Sequence, residues 1–221
     1  MTGPHRPDAP DAAAHPAAAS VFGDEAGRAD VYARLLATKG IEWGLMGPRE
    51  VDRIWDRHVL NSVAVGEAIP PSAHVVDVGS GAGLPGIPLA LARPDLHVSL
   101  LEPLLRRATF LTEVVDELGL GDRVVVVRGR AVPAGDNDPL GHHDRYDAVT
   151  SRAVAPLPRL LGWCAPLLRE HGTIVALKGA SAADEVAAAA ADLRRHRLTA
   201  SVASVTTHEG ADPTWLVVAS R

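Results

Sequence analysis

Residues 75 to 88 read Val75-Val76-Asp77-Val78-Gly79-Ser80-Gly81-Ala82-Gly83-Leu84-Pro85-Gly86-Ile87-Pro88. A valine-rich run, His74–Val78, has the composition of a strand buried on both faces. It carries an acid near its end. Gly79, Gly81, Gly83 and Gly86 then lead into a helix predicted over Gly86–Arg93. Glycines let a backbone turn tightly and approach a ligand closely. The helix that follows offers backbone N–H groups without partners in its own first turn. In an open α/β sheet such a turn lies at the carboxyl edge of the strands, where ligands bind.

Outward from this loop, short apolar runs alternate with helical stretches. Strands are predicted at His97–Leu101, Val124–Val127, Tyr146–Thr150, Thr173–Leu177, Leu198–Val205 and Trp215–Ala219. Helices are predicted at Leu104–Leu118, Pro156–Leu168 and Ala182–Arg195. Such alternation specifies a parallel sheet covered by helices on both faces. Residues 71–221 therefore read as one α/β core, with a polar loop over Pro133–His143. Upstream, residues 23–70 read as helical. Val31, Leu35, Leu36 and Lys39 step by three and four up to Gly40. A second helix is predicted from Pro48 to Val65, with Ile54, Trp55, Val59, Leu60 and Val63 as its apolar stripe. Residues 1–22 read as a disordered Ala/Pro-rich tail. The first twenty residues hold seven Ala and four Pro, and no Val, Ile, Leu, Phe or Trp, too little apolar area to offset the entropy of ordering.

Composition excludes several classes. The chain has 221 residues, of which 47% are hydrophobic and 22% charged, enough for one sizeable core and unlike a disordered chain. No stretch approaches the ~18 uninterrupted apolar residues of a membrane span. The single cysteine, Cys164, forms no intramolecular disulfide, which fits a reducing cytoplasmic compartment. Within a predicted helix it reads as a small core residue. His142 and His143 lack the further ligands of a metal site, so no metal is expected. The net charge of −5 opposes bulk coating of nucleic acid but leaves room for a local basic face.

Gly81, Gly83 and Gly86 formally fit G-x-G-x-x-G, the dinucleotide fingerprint. Glu102 ends the next predicted strand, where an acid accepts hydrogen bonds from ribose hydroxyls. Both NAD and S-adenosylmethionine carry such a ribose. An acid at Asp77, just before the first glycine, suits a cationic ligand and repels a pyrophosphate. The loop therefore favours S-adenosylmethionine.

Other residues carry two readings each. Arg49, Arg53 and Arg57 recur every four residues, as a solvated helix face paired with Glu50, Asp52 and Asp56 or as phosphate contacts. His58 reads as a packed residue or a substrate-side one. Arg152 follows a strand end on the same sheet edge as Gly79. Lys178, one of two lysines, ends another strand as a snorkelling charge or a contact to RNA.

The loop Asp77–Ala90 resembles the cofactor loop of the bacterial 16S rRNA guanine-N7 methyltransferases, also called glucose-inhibited division protein B. Trp55-Asp56-Arg57-His58-Val59-Leu60-Asn61-Ser62, Thr150-Ser151-Arg152-Ala153-Val154-Ala155 and Ala176-Leu177-Lys178-Gly179 resemble further segments of that family, in the same order, from about residue 24 to the C-terminus. The resemblance implies a Rossmann-like class I methyltransferase whose seven-stranded sheet has an antiparallel last strand, preceded by a small N-terminal helical extension. It implies methylation of N7 of one guanine in the 530 loop of 16S ribosomal RNA; the expected partner is that RNA within the 30S subunit or an assembly intermediate, and a monomer is expected. Beside Asp77, Gly81, Gly83 and Glu102, which the loop itself assigns to S-adenosylmethionine, the resemblance places Gly79, Leu84, the Ala131-Val132 backbone and Arg152 at that cofactor. It favours a substrate-side role for His58, which joins Arg53, Arg57 and Lys178 as candidate RNA contacts, with Arg152 and Lys178 as candidate positioning residues. Many relatives carry an acid where this chain has Val132, which offers adenine only its backbone. Guanine N7 has an unshared electron pair at neutral pH, so alignment suffices and no general base is needed. Two other classes stay open. One is a non-catalytic ribosome-associated RNA-binding factor, the other a small-molecule methyltransferase or NAD enzyme on the same fold.

Overall fold

The computed structural model describes residues 14–132 and 141–221. Most of the predicted 133–143 loop, and residues 1–13 of the predicted tail, lie outside the described residues.

Seven strands form one sheet in the order β3-β2-β1-β4-β5-β7-β6. They are β1 (His74–Val78), β2 (His97–Glu102), β3 (Val124–Arg128), β4 (Tyr146–Arg152), β5 (Leu168–Lys178), β6 (Thr199–Val205) and β7 (Thr214–Ser220). β1 to β5 pair in parallel, and β7 runs antiparallel to both β5 and β6. The seven strands and the antiparallel last one are what the resemblance implied. The chain winds outward from β1 to β3 and returns to place β4 on the other side of β1. The connections after β1 and β4 thus diverge, and a crevice opens at their carboxyl ends.

The strand sequences explain the layers. In β1, Val75, Val76, Asp77 and Val78 are all buried, so the strand is covered on both faces, as a central parallel strand must be. Val75 joins the core beneath the N-terminal segment, α4 (Gly86–Ala92) and α5 (Leu105–Glu117). Val76 and Val78 join the opposite core beneath α6 (Leu157–Cys164), α7 (Ala182–Ala188) and α8 (Ala190–Arg195). Each fully buried valine or leucine contributes roughly 1.5–3 kcal/mol. Cys164 is buried among these apolar residues.

Three expectations need correction. First, order begins before residue 23. Ala18–Phe22 forms helix α1, and Ala18 and Phe22 are buried in the core. Phe22 meets Trp55 edge-on, and that one aromatic anchor outweighs the polar composition around it. His15 adds a clasp. Its Nδ1 accepts the Ala17 N–H, and its Nε2 lies 3.2 Å from Asp56 Oδ1. Second, the region over Pro48–Val65 is not a regular α-helix. It runs as a 3₁₀ segment (Pro48–Arg53), a π-helical segment (Ile54–Leu60), α3 (Asn61–Val63) and a 3₁₀ turn (Ala64–Ala68). Ile54, Trp55, His58, Val59 and Leu60 are buried, an apolar face wider than one α-helical stripe. Third, the helix expected over Ala182–Arg195 breaks at Ala189, which is itself buried. The alanine run supplies helix propensity, but burial of Ala182, Ala189 and Leu193 sets the bend.

Candidate active site

The loop after β1 is tied on both sides. Gly79 N–H donates to Leu101 O at 2.8 Å, and Gly81 N–H donates to Glu102 Oε2 at 3.0 Å. Glu102 Oε1 accepts the Leu104 N–H at 2.9 Å. One buried carboxylate therefore joins the β1–α4 loop to the turn after β2. Gly79 has φ +72, and a Cβ there would stand 2.7 Å from Val154 Cγ2. Only glycine gives both that backbone and that approach. Tyr32, on α2 (Ala26–Leu35), donates its hydroxyl to Ala82 O at 2.9 Å and braces the loop from below.

Asp77 and Gly83 are not where the sequence reading put them. Asp77 is fully buried beneath the loop, and its Oδ2 accepts the Gly86 N–H at 3.1 Å. Its own side chain thus fills the position at the α4 N-terminus that a pyrophosphate would need. Burial pushes its carboxyl up to about 7. Gly83 is turned inward, and a Cβ there would meet Ile87 Cδ1 at 2.4 Å and Tyr32 Oη at 3.1 Å. Gly79, Ser80, Gly81, Ala82, Leu84 and Glu102 line a cavity of about 560 Å³. Gly79 and Val154 also line a second cleft of about 340 Å³. There Val78, Leu101, Ala131, Val132 and Trp163 make a mostly apolar slot. Val132 lines this slot. Its carbonyl oxygen lies 3.3 Å from His143 Nε2.

Arg152 lines the larger cavity and, with Ala153, the adjoining one that holds Lys178. Its guanidinium is mostly buried, and burial lowers its pKa. Among the described residues, no carboxylate lies within 4 Å of it. Its protein partners are neutral: Ser62 Oγ at 3.4 Å, His58 O at 3.5 Å and His58 Nδ1. His58 is buried, contrary to a role in touching RNA. Its Nε2 lies 2.7 Å from Glu50 Oε2, so both ring nitrogens are engaged within the protein. Burial, then the neighbouring Arg152, lowers its pKa.

Lys178 Nζ pairs with Glu185 Oε2 at 2.7 Å and is mostly covered. It shares a cavity of about 520 Å³ with Arg57, Asn61 and Arg152. Arg57 and Asn61 continue into a further cavity of about 540 Å³ with Arg53, Thr207, His208 and Thr214. Four openings thus share lining residues along the carboxyl edge of the sheet. Arg53 and Arg57 come together in the last one, whereas the 3₁₀ and π turns leave Arg49 outside it. Arg57 pairs weakly with Glu50 at 3.8 Å, whereas Asp56 faces His15 rather than an arginine. Sequence reasoning missed Tyr32, Glu50, Ser62 and the 207–214 turn as site components. Ser62 was on view as the end of the Trp55–Ser62 segment. The others carry no local signal.

Solved structures share the fold. One is a predicted O-methyltransferase, protein Atu636 from Agrobacterium tumefaciens, with TM-score 0.58 and 16% identity over 72% of this chain and 79% of that one. Another is M. jannaschii TYW2 in complex with AdoMet, with TM-score 0.54 and 18% identity over 74% of each chain. Sequence relatives are much nearer. The ribosomal RNA small subunit methyltransferase G of Kineococcus radiotolerans is 53% identical over 96% of this chain and 82% of its own. That of Mycolicibacterium smegmatis is 58% identical over 77% of this chain and 70% of its own. The family model for rRNA small subunit methyltransferase G matches residues 26–212, and with these relatives it means that the chain belongs to that family.

Proposed function

We propose that this protein transfers a methyl group from S-adenosylmethionine to N7 of one guanine in the 530 loop of 16S ribosomal RNA, within the small subunit. One observation carries the reading. A glycine-lined cavity anchored on Glu102 opens directly onto Arg152, and beyond it onto a cleft edged by Arg53 and Arg57. A nucleoside-bearing cofactor and a phosphate-bearing substrate would meet there.

The residues fit the cofactor. Gly79, with Val154 packed against its bare Cα, lines both the glycine-lined cavity and the apolar slot. Glu102 keeps acceptor capacity after taking two backbone N–H groups, since a carboxylate offers about four lone-pair sites. It would accept from ribose hydroxyls, while the apolar slot of Leu101, Val132 and Trp163 would hold the adenine ring. Asp77 acts at one remove, by fixing the loop and disfavouring pyrophosphate. When bound, S-adenosylmethionine supplies an electrophilic methyl group on a sulfonium centre. Arg152 would take an anionic oxygen of the cofactor or the RNA, and Arg53 and Arg57 would take RNA phosphates.

A nucleophile that must lose a proton would need a free base at the cavity. His58 is the histidine on its wall, and both of its nitrogens are engaged. Glu102 is held by Gly81 and Leu104. Guanine N7 needs neither, so orientation is the protein's main contribution.

The decisive experiment is methyl transfer from radiolabelled S-adenosylmethionine to 30S subunits lacking this methylation, followed by strand-scission mapping of 7-methylguanine. One labelled guanine in the 530 loop is the expected result. Label at another position or on another base would overturn the assignment. So would no incorporation while the cofactor still binds.

A further inference from the structure

We propose that Glu50 is a positioning residue, which fixes the tautomer of His58 and thereby holds the Arg152 guanidinium at the seam of the two cavities. The inference rests on the methyltransferase reading above and names a residue that reading does not require.

Arg152 is a buried cation whose described protein partners are all neutral. A buried charge needs hydrogen bonds to persist, and its orientation depends on them. The contact from Arg152 Nη2 to His58 Nδ1 works only if that nitrogen carries a lone pair. Neutral histidine has two tautomers, and only the one protonated at Nε2 meets this demand. The carboxylate of Glu50, 2.7 Å from Nε2, accepts that proton and selects this tautomer. The hydrogen bond in turn holds the Glu50 carboxyl below its usual range. The alternative tautomer would set an N–H against the guanidinium N–H, donor to donor. Further hydrogen bonds tie Arg152 to the same turn. The Ser62 hydroxyl donates to His58 O at 2.6 Å, and Arg152 Nη1 reaches both groups. Glu50 thus acts on the cavity through two intervening side chains. The anion that Arg152 then faces is a carboxylate of the cofactor or a phosphate of the RNA.

The test begins without catalysis. Ring ¹⁵N chemical shifts of His58 in the full-length protein report the tautomer directly. Wild type and Glu50→Gln, whose amide oxygen still accepts, should show the Nε2–H form. Glu50→Ala should show a mixed or Nδ1–H population. Activity is then measured on 30S subunits with S-adenosylmethionine. Glu50→Ala should lose about tenfold in kcat/KM, the weight of one charge-assisted hydrogen bond, and Glu50→Gln should stay within about twofold of wild type. Calorimetry distinguishes the two anions. Weaker S-adenosylmethionine binding in Glu50→Ala marks the cofactor carboxylate. Unchanged cofactor binding with a raised KM for 30S marks the RNA phosphate. An Nε2–H tautomer that persists in folded Glu50→Ala would overturn the proposal, as would equal damage from Gln and Ala. If wild type shows the expected tautomer but methylates no 30S RNA, the methyltransferase assignment fails and the relay stands.

Discussion

Tyr32 donates its hydroxyl to the backbone oxygen of Ala82 at 2.9 Å, across 50 residues of sequence. This bond joins the N-terminal helical segment to the glycine loop. Tyr32 is fully buried, so water cannot replace its partner. Tyr32→Phe leaves the Ala82 carbonyl unpaired and should cost about 1–3 kcal/mol of stability. The loop should also loosen, so S-adenosylmethionine affinity should fall several-fold. Thermal unfolding and calorimetry check both. An unchanged affinity in a destabilised variant would show that the segment braces the fold and not the loop.

Glu102 bridges two loops with one carboxylate, at 3.0 Å to Gly81 N and 2.9 Å to Leu104 N. Glu102→Gln keeps the size but turns one acceptor into an N–H donor facing a backbone N–H. The expected outcome is a lower Tm, because a mispaired buried group costs about 1–3 kcal/mol, and several-fold weaker cofactor binding, because an acceptor for the ribose hydroxyls is lost. Equal affinity by calorimetry would remove Glu102 from the cofactor site.

Gly79→Ala tests the close approach. The new Cβ would stand 2.7 Å from Val154 Cγ2, on a residue held at φ +72. The left-handed backbone costs a non-glycine residue about 1–2 kcal/mol, and the clash shifts Val154 into the cleft. Stability should fall by about that amount, and cofactor binding should weaken several-fold because Val154 lines both cavities. Gly27→Ala is the control, since a Cβ there has nothing within 4 Å and φ lies outside the left-handed range. It should leave binding unchanged and slightly stabilise the protein.

Asp77 gives a pH signature of unusual sign. Burial raises its carboxyl from 3.8 to about 7 in the folded state. Between those values the folded protein holds a proton that the unfolded chain has released. Stability linked to Asp77 is therefore full below pH 3.8 and lost as pH rises through about 7. In Asp77→Asn that component disappears. Denaturant unfolding of both proteins across this window should show wild-type stability falling relative to the variant as pH rises. A constant difference would mean that Asp77 is not held protonated by its burial.

The legibility of this chain follows the range of the interactions. Gly79, Gly81, Leu84 and Glu102 could be read because a strand end, a glycine turn and the next strand end lie close in sequence and converge by topology alone. Asp77 shows the limit of that reading. Its position in the motif was plain, but only the structure turns its side chain toward Gly86 rather than the cavity. Tyr32 registered only as a helical residue, because its partner lies on another element. Glu50 had an ordinary place among alternating charges. Its role arises because a π-helical turn buries His58 beside Arg152, 94 residues away. The tail boundary erred for the same reason, since Phe22 finds its partner in Trp55.

The same π and 3₁₀ turns separate three arginines that an α-helix would have aligned. Arg53 lines the outer cleft, and among the described residues it has no ion-pair partner. Arg57 lines the cleft but lies 3.8 Å from Glu50. Arg49 lies outside. If the cleft carries RNA, Arg53→Ala should lower the slope of log binding constant against log salt by about 0.7–1, the release of one counterion. Arg57→Ala should lower it less, because a phosphate there competes with Glu50. Arg49→Ala should leave the slope unchanged. Filter binding of 16S RNA over a salt series measures all three. Equal effects from all three arginines would mean that RNA meets a diffuse basic surface and not this cleft.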